Sequence, residues 1–291
     1  MRKSNWVFLL LIIASIAMFN GYKQFSALRA DTTAPKIEMD ESSVLEVSVQ
    51  EPKSALLQGV TAQDKRDGDV TDSLVVESIQ LLGDDGTVRV GYAAFDQAGN
   101  VTKATREVRY TDYQGPRFHL IEPLIFNYNA NFDIMSNVGA TDVLDGDIQH
   151  RIRATMLTEE AVYEEGDHFV HFKVTNSLGD TAELVVPVEV YSSTQHNAAL
   201  TLNQYLVYIP VGGVFDPEAY LDTFTVLNRD VSLENGVPKG YSLKTTGTVQ
   251  TQTSGIYPVE YVMTYVDRHE FNSEYDKTYT GYTKLIVVVE G

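Results

Sequence analysis

The 291-residue chain contains no cysteine. Disulfide staples, thiol catalysis and attachment through a lipidated cysteine are therefore all excluded. Beyond Ala30 no stretch sustains a helical period. The sequence also lacks G-x-S-x-G, H-E-x-x-H, P-loop and G-x-G-x-x-G patterns, which removes the commonest motif-based enzyme readings. Basic residues are scarce. Residues 1–30 carry four basic and no acidic side chains, so 40 acidic and 18 basic ones remain beyond them, a net of −22. Such a surface repels nucleic acid and anionic headgroups, keeps the chain soluble and tolerates divalent cations. No nucleic-acid partner is expected.

What is present begins with an apolar run. Arg2 and Lys3 precede an almost unbroken hydrophobic stretch from Trp6 to Phe19, interrupted only by Ser15. A basic end followed by apolar residues is an export signal, with the basic end left in the cytoplasm. The 14-residue run would span about 21 Å as a helix, short of the roughly 30 Å hydrocarbon core. Small residues are poorly placed for cleavage after the run. The reading favours a retained anchor through residues 6–22, with release by signal cleavage as its alternative. Everything that follows is then outside the membrane.

The remaining chain is long enough for two or three domains, and the protein, 43% hydrophobic over its full length, can bury real cores. It repeats. AQDKRDGDVTD at position 62 is echoed by ATDVLDGDIQH at position 140. Asp64, Asp67 and Asp69 become Asp142, Asp145 and Asp147, a shift of 78. The turns FDQAGN (95–100) and TNSLGD (175–180) lie 80 apart. Each repeat opens with Asp, three residues and Pro, at DTTAP (31–35) and DYQGP (112–116). A third segment keeps a Phe-Asp pair at 215–216, matching 132–133 with a shift of 83. That shift places LNRDVS (227–232) on LDGDIQ (144–149) and pairs Asp142 with Thr225. The third segment thus reads as the same fold with the loop chemistry removed.

Short runs rich in Val, Tyr, Phe and Ile, bounded by Gly, Asn, Asp and Pro clusters, read as strands. Val186, Val188 and Val190 alternate with Pro187 and Glu189, the period of a half-buried strand. Pro187 cannot donate to a ladder, so a free edge or bulge is expected there. Repeats of this length built from short strands fit sandwiches of about 100 residues.

These residues resemble the bacterial immunoglobulin-like repeats of tandem surface proteins, with their A-x-D-x-x-D-G-D-[IV]-T loop. Ala62, Asp64, Asp67, Gly68, Asp69, Val70 and Thr71 match that loop, and Tyr92, Asp96, Gly99 and Asn100 match the family's last turn. The second repeat matches through Ile148 but has Gln149 for the threonine, and carries Asn176 and Asp180 in its last turn. The third keeps Gly212 to Asp216 and the closing strand. The resemblance spans about 31–290 and implies an all-β chain: three tandem immunoglobulin-like β-sandwiches after an N-terminal membrane helix. The expected divisions are 1–30, 31–112, 113–192 and 196–291. The family's modules serve as spacers, adhesins and appendages to enzymes, so the resemblance speaks to fold more than to function.

The aspartate loop has three readings. Asp-Gly is a favoured turn pair, and Asp side chains accept backbone N–H bonds within turns. Calcium takes six to eight oxygen ligands. Asp64, Asp67, Asp69, Asp142, Asp145 and Asp147 could serve such an ion, with the interdomain Asp112 as a further ligand. The spacing is not that of an EF-hand. Paired carboxylates can also run glycoside hydrolysis, but a catalytic pair duplicated inside Asp-Gly turns has no other support in the chain. No catalytic residue is assigned. No cofactor is required, and Ca2+ is the ion the loops would suit.

His168 and His171 are three apart on a strand pattern, hence on opposite faces and unable to share a metal. Ten of the 17 tyrosines lie beyond residue 200. Tyr257, Tyr261 and Tyr265 share parity, and Tyr275 and Tyr279 follow in a charged segment, 267–279, that reads as an exposed loop. Tyrosines favour strands and can simply pack, yet these five are the candidate partner-binding residues. The expected function is a non-enzymatic cell-surface spacer or adhesion module presenting a distal interaction domain to an unknown protein or glycan. The alternative is a carbohydrate-binding module using the tyrosines.

Overall fold

A computed structural model of the chain describes all residues except 1–2, 30, 41, 84, 129, 158–163, 193–195 and 270–272. The chain falls into two compact units, Met1–Tyr113 and Gln114–Gly291. After an N-terminal helix, Lys3–Arg29, the structure is strands joined by turns and single 3-10 turns. The helix exposes the described apolar side chains of its central part, from Phe8 to Phe19. Among the described residues, no helix is long and apolar enough to cross a membrane.

Among the described residues, six sheets form three sandwiches, each pairing a three-stranded sheet with a four-stranded one. In the first sandwich Val60–Asp64 is flanked antiparallel by Lys36–Met39 and Gly68–Asp69. Facing it, Val101–Tyr110 lies between Thr87–Phe95 and Leu45–Val47, with Val75–Leu81 on the outer edge. The leading strand is therefore split. Its first half pairs antiparallel in one sheet, and its second half pairs parallel with the last strand in the other. The second and third sandwiches repeat this connectivity strand for strand. Ile125–Asn127 runs parallel to Thr181–Tyr191, and Leu206–Pro210 parallel to Lys277–Glu290. The chain is a tandem of immunoglobulin-like β-sandwiches, as the period-2 patterns and turn spacing lead one to expect.

The alternation is realised in the burial. Val186, Val188 and Val190 are buried. Pro187 sits opposite Phe169, while the other side of its strand is paired only at Glu189–Tyr191, so its missing N–H faces an open edge. Each sandwich closes around a buried aromatic on a central strand of its larger sheet: Tyr92, Phe172 and Tyr261. Truncating such a ring to alanine costs about 3–5 kcal/mol. The two tyrosines also need a partner for the hydroxyl. Tyr92 donates to the Leu56 carbonyl at 2.8 Å, and Tyr261 to the Pro217 carbonyl at 2.9 Å. Phe172 has no such requirement.

The second and third sandwiches share one apolar cluster, which runs from Phe118 to Val289. Their junction is also polar and ordered. Lys284, on the last strand of the third sandwich, is 7% exposed and lies 2.5 Å from Glu189 on the last strand of the second. Asp167 and Glu260 stand farther off, at 3.7 and 3.8 Å. Tyr282 donates to the same Glu189 at 2.6 Å and stacks on His196. Burial, then the bond to Glu189, pushes the Tyr282 hydroxyl well above its usual range. Arg117 pairs with Glu290 and lies over the Tyr208 ring at 4.7 Å.

Candidate functional site

The aspartate loops are hairpins closed by Asp64 opposite Gly68 and by Asp142 opposite Gly146. Gly68 and Gly146 have φ of 76° and 70°, a region that disfavours a Cβ, which is why the loop carries Asp-Gly. The leading aspartate organises the turn. Asp64 Oδ1 accepts from the backbone N–H of Arg66 at 2.7 Å and of Asp67 at 2.9 Å. Asp142 Oδ1 does the same for Leu144 and Asp145, at 2.9 and 3.0 Å. Asp69 and Asp147 are exposed and accept from Thr71 and Gln149, two residues on. Asp67 and Asp145 reach across to the last turn, accepting from the N–H of Gln97 at 2.9 Å and of Ser177 at 2.7 Å.

The two loops differ at their second carboxylate oxygens. Asp142 Oδ2 receives the side-chain amide of Asn176 at 3.0 Å. Asp145 also receives Arg151 Nη1 at 2.5 Å and Ser177 Oγ at 2.7 Å. Burial works to raise the Asp145 pKa, but the bonds from Ser177 and Arg151 outweigh it and hold the group below the usual range. In the first sandwich the repeat spacing puts Asp96 where Asn176 stands and Ser73 where Arg151 stands. A carboxylate cannot donate to another carboxylate, and Ser73 instead caps Val70 and Phe95. Asp96 spends both its oxygens on Asn100, at 2.7 Å to the N–H and 2.6 Å to the amide. Burial pushes Asp96 up, and these bonds override it and keep the group below its ordinary value.

Asp64 is 6% exposed, and its Oδ2 has no hydrogen-bond partner among the described residues. Asp31 Oδ2 is in the same position. Asp31, Asp64 and Asp67 each offer a carboxylate oxygen within 4.8 Å of the others. Arg66 Nη1 approaches Asp31 Oδ2 only to 4.0 Å, from a side chain that is 60% exposed. Asn100 fixes the start of the chain by donating to the Asp31 and Thr33 carbonyls.

The seven expected metal ligands thus separate. Asp64 and Asp67 come together, joined by Asp31, which the loop motif did not include although DTTAP marked the start of the repeat. Asp69 and Asp147 are turn acceptors on the surface. Asp142 and Asp145 are already bonded to protein groups. Asp112 does not bridge to a loop: it accepts from Ser48 Oγ at 2.6 Å and Val49 N–H at 2.8 Å, and those bonds lower its pKa.

In the third sandwich the register corrects the sequence alignment. Thr225 pairs with Asp230 and Val226 with Arg229, as Thr141 pairs with Asp147 and Asp142 with Gly146. Val226, not Thr225, stands where Asp142 does, and it is buried. The loop is one residue shorter, and Leu227 and Asn228 take φ of 52° and 60°.

The tyrosines do not form one outward face. Tyr257, Tyr261 and Tyr265 share a side of their strand with Val259 and Met263, and that side is the core. Tyr261 is fully buried, so it is not available to a partner. Tyr257 is half-buried and donates to Thr253. Tyr265 and Tyr279 are half-buried too, and Tyr265 stacks on Tyr241 at 4.9 Å. Tyr275 alone of the five is well exposed, beside His269 at 5.4 Å. Part of the expected recognition loop, 270–272, lies outside the described residues. His168 is buried and bonded to the Glu164 carbonyl, while His171 is beside Glu183 on the other face, as their spacing requires.

No family model matches the sequence, and no curated protein matches it. Solved structures do. One is the M60 catalytic domain with CBM51-1 and CBM51-2 of Clostridium perfringens ZmpB, at 12% identity and a TM-score of 0.24, over 89% of this chain and 43% of that one. Another is CBM51-2 with INT domains of the same protein, at 15% and 0.22, over 88% and 42%. A third is mouse cadherin-23 EC22-24, at 10% and 0.21, over 88% and 98%. The chain spans less than half the length of the two ZmpB structures. Likenesses at this level assign no function.

Proposed function

We propose that this chain is a non-enzymatic cell-surface module, held at the membrane by its N-terminal segment, in which the sandwiches act as spacers and the third presents an interaction surface. The observation that carries this reading is the junction around Lys284 and Glu189. It fastens the second and third sandwiches into one unit through a buried ion pair and a shared apolar cluster. Residues invested in holding two domains together serve a protein whose task is to hold shape. The exposed apolar side chains from Phe8 to Phe19 support membrane attachment through residues 6–22, since water is a poor neighbour for such a surface. The acidic remainder of the chain supports an extracellular, self-repelling surface.

The test is protease treatment of intact cells expressing the full chain. Digestion of everything beyond the N-terminal segment is expected; protection until the cells are lysed would overturn the reading. A glycan array probed with the full chain examines the carbohydrate-binding alternative. Saturable binding that is lost with Tyr275→Ala would favour that alternative over the spacer.

A further inference from the structure

We propose that the first sandwich binds one divalent cation, calcium by the chemistry of its donors, between Asp31, Asp64 and Asp67, and that the second sandwich does not. The two loops share a backbone, so the difference lies in what meets the carboxylates. In the second, Asn176 and Arg151 supply the hydrogen bonds and the charge that Asp142 and Asp145 need. In the first, Asp96 and Ser73 occupy those places and supply neither. Two buried oxygens, Asp31 Oδ2 and Asp64 Oδ2, are left without a hydrogen bond among the described residues, and the two aspartates form a cluster with Asp67. Buried carboxylate oxygens are costly unless paired or coordinated.

The geometry suits an oxygen-loving ion. Calcium holds its ligands at about 2.3–2.6 Å, so any two of them on one ion are at most about 5 Å apart. Asp31, Asp64 and Asp67 each offer one carboxylate oxygen within 4.8 Å of the other two. Three carboxylates leave room for waters to complete the shell, and calcium accepts six to eight ligands in irregular geometry where magnesium demands a near-ideal octahedron. Asp31 begins the first sandwich, immediately after the N-terminal segment. The ion would therefore tie the start of the sandwich to its loop 33 residues on.

The test is calorimetric titration of calcium chloride into the full chain, held in detergent micelles and stripped with chelator. One ion per chain is expected. Asp31→Asn should weaken binding by at least about tenfold, because ligand charge count sets affinity at such sites. Asp142→Asn should leave it unchanged. Asp64→Asn should also weaken binding; since its Oδ1 acceptor survives the change, the turn is retained, and Asp31→Asn decides the matter if that variant misfolds. No saturable heat, two ions per chain, unchanged binding in Asp31→Asn, or binding lost in Asp142→Asn would each overturn the proposal.

Discussion

Asn176 donates its side-chain amide to Asp142 Oδ2 across 3.0 Å, and this bond distinguishes the second aspartate loop from the first. Replacing it tests the distinction directly. Asn176→Asp removes the donor and sets a carboxylate against a buried one. The unsatisfied group costs about 1–3 kcal/mol at neutral pH. Urea denaturation of the variant should show a lower midpoint with an unchanged slope. An unshifted midpoint would mean that Asp142 finds another donor.

The junction of the second and third sandwiches should depend on Lys284. Removing one member of a buried ion pair costs about 3–5 kcal/mol. The lower end is expected for Lys284→Met, because Asp167 and Glu260 are open to water. The double variant Lys284→Met with Glu189→Gln should recover most of that loss, since no buried unpaired charge remains. Thermal denaturation of both variants provides the comparison.

Acidification should loosen the same junction through His196. Burial lowers its pKa from the ordinary 6.5, with Glu189 acting in the opposite direction. The unfolded chain therefore takes up the proton more readily than the folded one. The contribution of His196 to stability is intact above pH 6.5 and is lost as the pH falls through the lowered folded value. His196→Phe keeps a ring between Tyr191 and Tyr282 and removes the titration. The melting temperature of the wild type should fall more than that of the variant between pH 7.5 and pH 5.5. Parallel curves would refute the assignment.

The third sandwich carries a correctable strain. Leu227 and Asn228 hold the left-handed φ values of a two-residue hairpin, the conformation that Asn-Gly favours. A left-handed residue with a Cβ costs roughly 1–2 kcal/mol. Leu227→Asn with Asn228→Gly should therefore raise stability by about 1 kcal/mol, read as a higher denaturation midpoint. Leu227 is 45% exposed, so little burial is lost in exchange.

Much of this architecture was legible in the chain. Two landmarks, the aspartate loops and the Gly-Asn or Gly-Asp turns, recur with nearly the same shift, and the structure repeats strand order just as faithfully. The face of the tyrosines was not legible from their own spacing. Parity says that Tyr257, Tyr261 and Tyr265 point the same way, not which way. The missing clue was Val259 and Met263, which share that parity and mark it as the core side. The role of Asp31 was hidden for a different reason. It lies outside the motif, and only the pairing of Lys36–Met39 with Val60–Asp64 brings the start of the repeat beside the loop. In the third segment a one-residue deletion slid the alignment, and strand register was needed to see that a buried valine stands for the aspartate.

The split leading strand has a mechanical meaning. In each sandwich the stretch near the beginning lies parallel to the final strand, over three paired positions in the first two and five in the third. Pulling on the two ends of such a domain drags these neighbours past each other lengthwise. Their hydrogen bonds are loaded together rather than peeled one at a time. Each sandwich would offer that resistance to a pull along the chain, and the third most strongly, because its parallel pairing is the longest.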